Sequence, residues 1–342
     1  MKRKLLALTA ILLALTVTFG GCENIMLIPG KSSGAIADDS SSSQNNESLS
    51  AYPVTLNNTE ITKAPEKIVS LTPAYTEILF EMGYGKKITA VSDYCDYPEI
   101  VKELPKAASS ANPDIAAIKK LKPDLVITAT PIVTKDKISL EAQGIKVLVI
   151  PSPRNIEEFE NVYKFFGLAM NGQFDGEAAG EKAFTPIKKQ LDAIKRTDKK
   201  FIYVTAANTP AGGDTFESAV LSLFGTNIAE SSSGYSYKAA DLADNQPDII
   251  FVSDTIGEDT LTANENYSDL KAVKDGKITV LKNKYFERPS GRITELIGTA
   301  AKAFGVDLSD KTKTENSSAP ATESKNSSNT QNSSKEDSKA TE

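Results

Sequence analysis

Residues 122–127 read Lys-Pro-Asp-Leu-Val-Ile, and residues 246–251 read Gln-Pro-Asp-Ile-Ile-Phe. In both, a Pro-Asp turn precedes a short apolar run, which is typical of a buried strand in a parallel sheet. An amphipathic segment comes before each copy, at residues 115–121 and 237–243. A helix that delivers the chain into a buried strand, present twice, predicts two α/β lobes.

Each predicted lobe begins with a strand that leads to the start of a helix. The first strand pattern is residues 67–71, after which Thr72 is a candidate N-cap and Pro73 suits the first helical position. In the second lobe the strand pattern is residues 201–204. A Gly-rich loop then leads to residues 214–217, Asp-Thr-Phe-Glu, which resemble an acidic capping box.

The two lobes are predicted at residues 62–152 and 198–307, each with a Rossmann-like sheet. Residues 153–197 lie between them and have the apolar spacing of a helix. Gly172 and Pro186 interrupt this spacing, which leaves either one helix with a break or two helices. The predicted fold is therefore α/β, with two lobes joined by a long connecting helix and a ligand cleft between the lobes.

Both ends of the chain differ in composition from the predicted lobes. Basic residues at positions 2–4 precede an apolar stretch too short for a membrane span, so residues 1–21 are predicted to be a signal peptide. The small residues before Cys22 resemble the lipobox of bacterial lipoproteins. This resemblance implies a lipid on Cys22 that anchors the protein to the extracytoplasmic face of the cell membrane. Residues 22–61 are predicted to be a flexible tether, and residues 308–342 a disordered Ser/Asn/Lys-rich tail.

Composition excludes several classes of function. The chain has no histidine, which excludes Ser-His-Asp and Cys-His catalysis and histidine-ligated metal sites. Its two cysteines are too few for a Cys-rich metal site, and lipidation of Cys22 would leave Cys95 without a disulfide partner. The formal net charge of -6 argues against a nucleic-acid surface. We therefore expect a monomeric binding protein without a catalytic site, a metal or a cofactor.

In parallel α/β sheets, ligands bind outside the carboxyl ends of the strands. The predicted loops at these ends are rich in Tyr and Phe and poor in charge, which suits a large and mostly neutral ligand. The candidate ligand-binding residues in them are Pro73, Ala74, Tyr75, Tyr94, Asp96, Tyr97, Thr130, Pro131, Asn208, Thr215, Phe216, Tyr235, Tyr237, Phe286 and Arg288. A strongly anionic iron chelate usually needs clustered guanidinium groups, and the chain has only five arginines.

Five segments together resemble the helical-backbone substrate-binding proteins of ABC importers, which take up cobalamin, ferric siderophores and haem. They are residues 68–77, 91–98, 121–127, 213–216 and 286–289. The Ser-x-Thr-Pro-Ala-Tyr-Thr-Glu part of the first segment and the Tyr-Cys-Asp-Tyr-Pro loop are most similar to the vitamin B12-binding branch. The resemblance implies that cobalamin or a related corrinoid is held between the lobes with little domain closure. It also implies an ABC permease and its ATPase as partners.

The resemblance assigns roles to individual residues as well. Ala74 and Tyr94 match positions that touch the corrinoid, and Arg288 matches a position that reaches the ligand from the second lobe. Glu77 lies inside the first motif, where a carboxylate favours the positive end of its helix, so a structural role is expected. Tryptophan often lines the corrinoid pocket in this family, and this chain has none. A tyrosine within residues 235–237 would take that place.

The sequence departs from the family at two expected permease contacts. Family members usually carry one glutamate on the outer surface of each lobe, and here Ala116 and Ala240 stand at the matching positions. Asp114 and Asp241 lie close by and are candidates for the docking role. The departure leaves open a surface protein that captures corrinoid without a standard permease. A ferric-siderophore or haem binder is the other alternative, and haem would need a tyrosine or methionine ligand.

Overall fold

The computed structural model describes residues 50–309. The predicted signal peptide, the lipidation site at Cys22 and nearly all of the predicted tail lie outside the described residues. Two four-stranded parallel sheets frame the described region. Within this region, no helix has both the length and the hydropathy that crossing a membrane requires.

An antiparallel hairpin of β1 (Val54–Leu56) and β2 (Thr59–Ile61) precedes the first lobe. The two end residues of each strand are buried, while the middle residue is exposed. Thr59 Oγ1 also donates a hydrogen bond of 2.9 Å to the Val147 carbonyl oxygen. This hairpin replaces the last part of the tether predicted for residues 22–61, because its alternating side chains bury one face against the lobe.

The N-terminal lobe is built on a sheet with helices packed against it. Its strands are β3 (Ile68–Ser70), β4 (Ile88–Val91), β5 (Leu125–Thr128) and β6 (Lys146–Val149), in the spatial order β4-β3-β5-β6. Its helices are α1 (Pro73–Glu81), α2 (Ile115–Leu121) and α3 (Thr134–Glu141). Pro73 is the first residue of α1, as its fixed φ angle favours.

The connection between the lobes, α4 (Ile156–Asp192), changes direction at Gly172. The backbone there has φ 76° and ψ -172°, which is not helical and is accessible mainly to glycine. Gly172 thus divides α4 into an arm we call α4a (residues 156–171) and an arm we call α4b (residues 173–192). Of the two alternatives left open by the sequence, the structure has two helices, and α4b leads to the second lobe.

The two arms of α4 pack antiparallel. The ring centroids of Phe159 and Phe184 are 5.2 Å apart, although 25 positions separate these residues in the chain. Nearer the turn, a Cβ atom added to Gly167 would collide with the backbone of Gly176. The arms are therefore in backbone contact, and only glycine fits at this crossing.

The C-terminal lobe repeats the architecture of the first. Its strands are β7 (Lys200–Val204), β8 (Thr226–Asn227), β9 (Ile249–Ser253) and β10 (Ile278–Leu281), in the spatial order β10-β9-β7-β8. Its helices are α5 (Phe216–Leu221), α6 (Gly257–Ala263), α7 (Lys271–Lys274), α8 (Lys284–Glu287) and α9 (Ile293–Phe304). Taken strand by strand, this order matches that of the first sheet. The predicted fold of two α/β lobes is confirmed.

The repeated Pro-Asp turn serves the same purpose in both lobes. Asp124 Oδ2 accepts hydrogen bonds from the backbone N–H of Glu66 (2.8 Å) and of Lys67 (2.9 Å). Asp248 Oδ2 accepts one from the backbone N–H of Lys200 at 2.8 Å. Each carboxylate ties the start of one central strand to the start of its neighbour, β5 to β3 and β9 to β7.

One hydrophobic core runs through both lobes and α4. On the N-terminal side, the ring centroids of Tyr75 in α1 and Phe166 in α4a are 5.3 Å apart. Those of Phe159 in α4a and Phe216 in α5, in the other lobe, are 5.6 Å apart. Two smaller clusters cover the other faces of the sheets. The lobes are therefore fused through α4 by apolar packing.

Candidate ligand-binding site

The loops at the carboxyl ends of the two sheets meet between the lobes. Asp96, in the loop after β4, pairs with Arg288, which follows α8, at 2.6 Å between Oδ1 and Nη1. In the same region, the guanidinium carbon of Arg292 lies 4.4 Å from the ring centroid of Tyr97. The carboxyl edges of the sheets therefore face each other, as expected of a cleft that holds a ligand.

A buried ion pair between Glu77 of α1 and Arg292 joins the lobes deeper in the cleft. Arg292 donates to both carboxylate oxygens of Glu77, at 2.9 and 3.0 Å, and Ser290 Oγ donates at 2.6 Å. The Glu77 residue is only 1% exposed. Burial raises the pKa of the Glu77 carboxyl, although the Ser290 hydrogen bond and the Arg292 charge lower it.

The structural role expected for Glu77 thus arises from the opposite lobe and not from the start of its own helix. A sequence signal did exist, because Glu77 is the single charged residue between Pro73 and Phe80. A carboxylate inside such a run requires a partner. Nothing in the sequence identified Arg292 as that partner.

A second contact between the lobes uses Glu81, at the end of α1. Its carboxylate accepts the backbone N–H of Gly291 at 2.9 and 3.0 Å and the hydroxyl of Tyr163 at 2.6 Å. Glu81 therefore links α1 to α4a and to the C-terminal lobe at once. These links fix the relative position of the lobes on one side of the cleft.

The structure separates the sequence-predicted ligand residues by exposure. Exposed residues of this set are Tyr94, Asp96, Tyr97, Thr130, Pro131 and Tyr235. Partly exposed ones are Pro73, Asn208, Tyr237 and Arg288, and buried ones are Ala74, Tyr75, Thr215, Phe216 and Phe286. Among these candidates, the most accessible rings belong to Tyr94, Tyr97 and Tyr235, with 64%, 43% and 49% of their surface exposed.

The ligand contact predicted for Tyr75 does not agree with its position in the core. Tyr75 is 1% exposed, and its hydroxyl donates a hydrogen bond to the Ile150 carbonyl oxygen. Its ring packs on α4a, because Tyr75 is on the face of α1 that turns away from solvent. Its role is therefore to support the loop after β6.

The other buried candidates hold the cleft loops in place. Thr215 caps α5 by accepting the backbone N–H of Ser218 at 3.2 Å. Phe286 packs on Tyr203 with ring centroids 5.1 Å apart. Ala74 lies in the first turn of α1, at the base of the cleft on the N-terminal side.

Asn208 and Tyr237 lie in different surroundings. Asn208 follows β7 in the left-handed region at φ 57°, and its Oδ1 atom is buried without a hydrogen-bond partner. Tyr237 packs against the cluster around Leu242, on the face of the second sheet that does not contact α4. Of the two tyrosines proposed to replace a tryptophan, Tyr235 is thus the more exposed.

The positions compared with permease contacts are all exposed. Ala116 lies on α2, and Ala240 lies in a 3-10 turn before β9. Asp114 is the N-cap of α2 and accepts the backbone N–H of Ala117 at 2.9 Å. Asp241 is exposed beside Ala240.

Within residues 50–309, no group of three or more Cys, Asp and Glu side chains comes together in a way that could hold a metal ion. Cys95 is buried, and its sulfur contacts the Thr76 hydroxyl at 3.3 Å. The arrangement is suited to binding through aromatic contact and hydrogen bonds.

Two fused α/β lobes with a cleft between their carboxyl edges define a two-lobed binding protein. The sequence matches the periplasmic binding protein family over residues 68–285, and the chain belongs to that family. It is 26% identical to the uncharacterized ABC transporter substrate-binding lipoprotein YvrC of Bacillus subtilis, over 89% of this chain and 98% of that protein.

Two further comparisons agree with this family. A vitamin B12-binding protein of Vibrio campbellii is 26% identical over 74% of this chain and 95% of its own length. The structure of a possible iron-binding (periplasmic solute-binding) protein from Staphylococcus epidermidis superimposes with a TM-score of 0.60, at 23% identity, over 70% of this chain and 99% of that one. These relatives are solute-binding proteins, so the chain is a binding protein and not an enzyme.

Proposed function

We propose that this protein is a lipid-anchored, extracytoplasmic solute-binding protein that captures cobalamin or a related corrinoid for ABC-type import. Similarity to a vitamin B12-binding protein over most of its length supports the ligand class. Similarity to a substrate-binding lipoprotein supports anchoring through Cys22.

One observation favours a corrinoid over an iron chelate or haem: both arginines in the cleft are already paired. Arg288 is bound to Asp96, and Arg292 to Glu77. A ligand with several carboxylates or catecholates would have to break these pairs to obtain guanidinium contacts. Cobalamin carries peripheral amides and an apolar macrocycle, so it binds without breaking them.

The accessible tyrosines suit the same ligand. Tyr94 and Tyr97 lie on the N-terminal side of the cleft, and Tyr235 lies on the C-terminal side. Tyrosine offers a flat apolar surface together with a polar tip, which matches a macrocycle with amide substituents. In this proposal the three rings take the place of tryptophans.

Calorimetric titration of the purified full-length protein with cyanocobalamin tests the proposal. We expect binding at a ratio of one to one, with haemin and a ferric tris-catecholate chelate giving much weaker binding. Tight binding of either iron compound, together with no heat from cyanocobalamin, would reject the corrinoid assignment.

We also propose that Asp114 and Asp241 contact the permease in place of the two missing glutamates. Asn at position 114 retains the N-cap of α2 while removing the charge. Capture of an ABC permease from source membranes should therefore fall in the double variant D114N/D241N, with corrinoid binding unchanged. Equal capture by the wild type and the double variant would exclude these two acids.

A further inference from the structure

Glu217, in the first turn of α5, is a buried carboxylate with few hydrogen bonds to the rest of the fold. The residue is 9% exposed, and it follows Phe216, which packs on α4a at the base of the cleft. The N-cap hydrogen bond of this helix is made by Thr215, and the Glu217 carboxylate makes no hydrogen bond to the helix backbone. The capping-box resemblance of the sequence does not account for its position.

The hydrogen bonding of Glu217 is incomplete. Its Oε1 atom accepts the hydroxyl of Tyr235 at 3.0 Å, and within residues 50–309 this carboxylate has no ion pair. Its Oε2 atom has no partner but is not sealed from solvent. In the described region, the side-chain atoms that are both fully buried and without a hydrogen-bond partner belong to Gln190, Asn208 and Thr209, and Glu217 is not among them. A buried carboxylate with a single neutral donor is costly and is suited to a further donor.

The surroundings of Glu217 define which donor fits. Tyr235 is half exposed at the cleft, so the carboxylate behind it is open to a ligand beside that ring. Three acidic groups, Glu217, Glu287 and Asp214, act on Tyr235. The one cation that acts on Asp214, Arg154, is itself paired with Glu158 at 3.4 Å. Asn283 bonds both to Tyr203 and to Glu287, so it is fully engaged. This corner of the cleft therefore repels anionic groups and attracts N–H donors.

We infer that Glu217 is a specificity-determining residue whose Oε2 accepts an amide N–H from the periphery of the corrinoid. The inference rests on the proposed function, because it assumes that a corrinoid occupies the cleft. In this arrangement Tyr235 covers the macrocycle while its hydroxyl remains bonded to Oε1. Corrinoids that carry free carboxylates in place of amides are rejected, because two carboxylates would meet at this point.

The test compares dicyanocobinamide, which carries amides, with dicyanocobyrinic acid, which carries carboxylates. Calorimetry with the full-length protein measures both dissociation constants for the wild type and for the isosteric variant Glu217→Gln. We expect the wild type to prefer cobinamide. In the variant, this preference should fall on the order of tenfold or more, because a charge-assisted hydrogen bond is weakened and a repulsion is removed.

A matched control lies in the same lobe. Tyr285 donates its hydroxyl to Glu295 Oε2 at 2.7 Å, and Glu295 is exposed on α9. Glu295→Gln alters a Tyr–Glu hydrogen bond of the same kind without facing the cleft, so the preference should stay at the wild-type value. A change as large as that of Glu217→Gln would overturn the inference.

The remaining outcomes separate the inference from the proposed function. Wild-type binding of cobinamide with an unchanged preference in Glu217→Gln overturns the inference and leaves the function standing. Equal wild-type affinity for both corrinoids overturns it as well, and this result needs no variant to fold. If the wild type binds cyanocobalamin but neither test corrinoid, the inference fails and the function stands. If it binds none of the three, both fail.

Discussion

Arg292 makes three contacts of two kinds at the interface between the lobes. Its guanidinium group binds Glu77 and lies near the rings of Tyr97 and Tyr285, at 4.4 and 5.2 Å from their centroids. Its side chain is 13% exposed, whereas the Glu77 side chain is 1% exposed. A buried ion pair stabilises the fold little more than well-packed apolar side chains would. Removing one partner, however, leaves the other charge buried without a counter-charge.

We therefore predict that Arg292→Ala lowers the free energy of unfolding by roughly 3 to 5 kcal/mol. Urea denaturation followed by circular dichroism measures this change. Arg288→Ala is the matched comparison, because its partner Asp96 is 53% exposed, and its loss should stay below about 1 kcal/mol. Equal losses in the two variants would mean that burial of the Glu77 pair does not control the interface.

At the scale of elements, the hairpin of α4a and α4b depends on close contact of two backbones. A Cβ atom added to Gly176 would lie 2.7 Å from the Leu168 backbone nitrogen and 2.8 Å from the Gly167 carbonyl oxygen. Real Cβ atoms do not approach backbone atoms this closely, so the arms would have to move apart.

We predict that Gly176→Ala destabilises the protein by about 1 to 3 kcal/mol, because the helix crossing is overpacked. Gly298 of α9 provides the control, since a Cβ atom there has nothing within 4 Å. Gly298→Ala should be neutral or stabilising by up to about 1 kcal/mol, as helix propensity favours alanine. Thermal unfolding of both variants measures the difference. A destabilised Gly298→Ala with an unaffected Gly176→Ala would contradict the close crossing.

For the whole molecule, burial of tyrosine hydroxyls links stability to pH. Burial is the largest cause of a raised pKa at eight of the eleven tyrosines, which are Tyr52, Tyr75, Tyr163, Tyr203, Tyr235, Tyr237, Tyr267 and Tyr285. The pKa reaches about 12 at three of them, Tyr235, Tyr267 and Tyr285. An unfolded chain loses these protons near the ordinary value of about 10.

Between these two pH values the folded chain holds more protons than the unfolded chain, so the free energy of unfolding should fall as pH rises above about 10. Phenolate absorbance in the near ultraviolet measures this directly, and the absence of tryptophan removes the main interference. The folded protein should ionise at higher pH than the urea-unfolded protein. Coincident titration curves would show that these hydroxyls are not protected.

Much of the architecture could be predicted from local patterns. The Pro-Asp turns before 125–128 and 249–253 marked equivalent strands, and the structure assigns the two aspartates the same role. Of the two predicted interruptions of the connection, Gly172 is the point where it turns, whereas the helix continues through Pro186. These features are local, because each depends on hydrogen bonds or dihedral angles within or next to a single element.

The site was harder to predict, because its contacts join residues far apart in the chain. Glu77 and Arg292 are 215 positions apart, and Tyr235 and Glu217 come from different segments of one lobe. The sequence also placed Tyr75 in the cleft, because it follows the carboxyl end of the first predicted strand. In the structure its side chain lies on α1 and is buried in the core. The packing of α4a against α1 decides which face of α1 is buried, and this packing cannot be predicted from a local sequence pattern.

The sequence by itself determined the two lobes, their repeated strand patterns and the lack of histidine chemistry, since these follow from pattern and composition. Only the tertiary structure decided which arginines of the cleft are already neutralised, which tyrosines remain accessible, and that Glu217 lies buried with one oxygen free. The physical reason is that ion pairing and side-chain burial depend on distances between elements. Sequence periodicity indicates only which side chains share a face of one helix or strand.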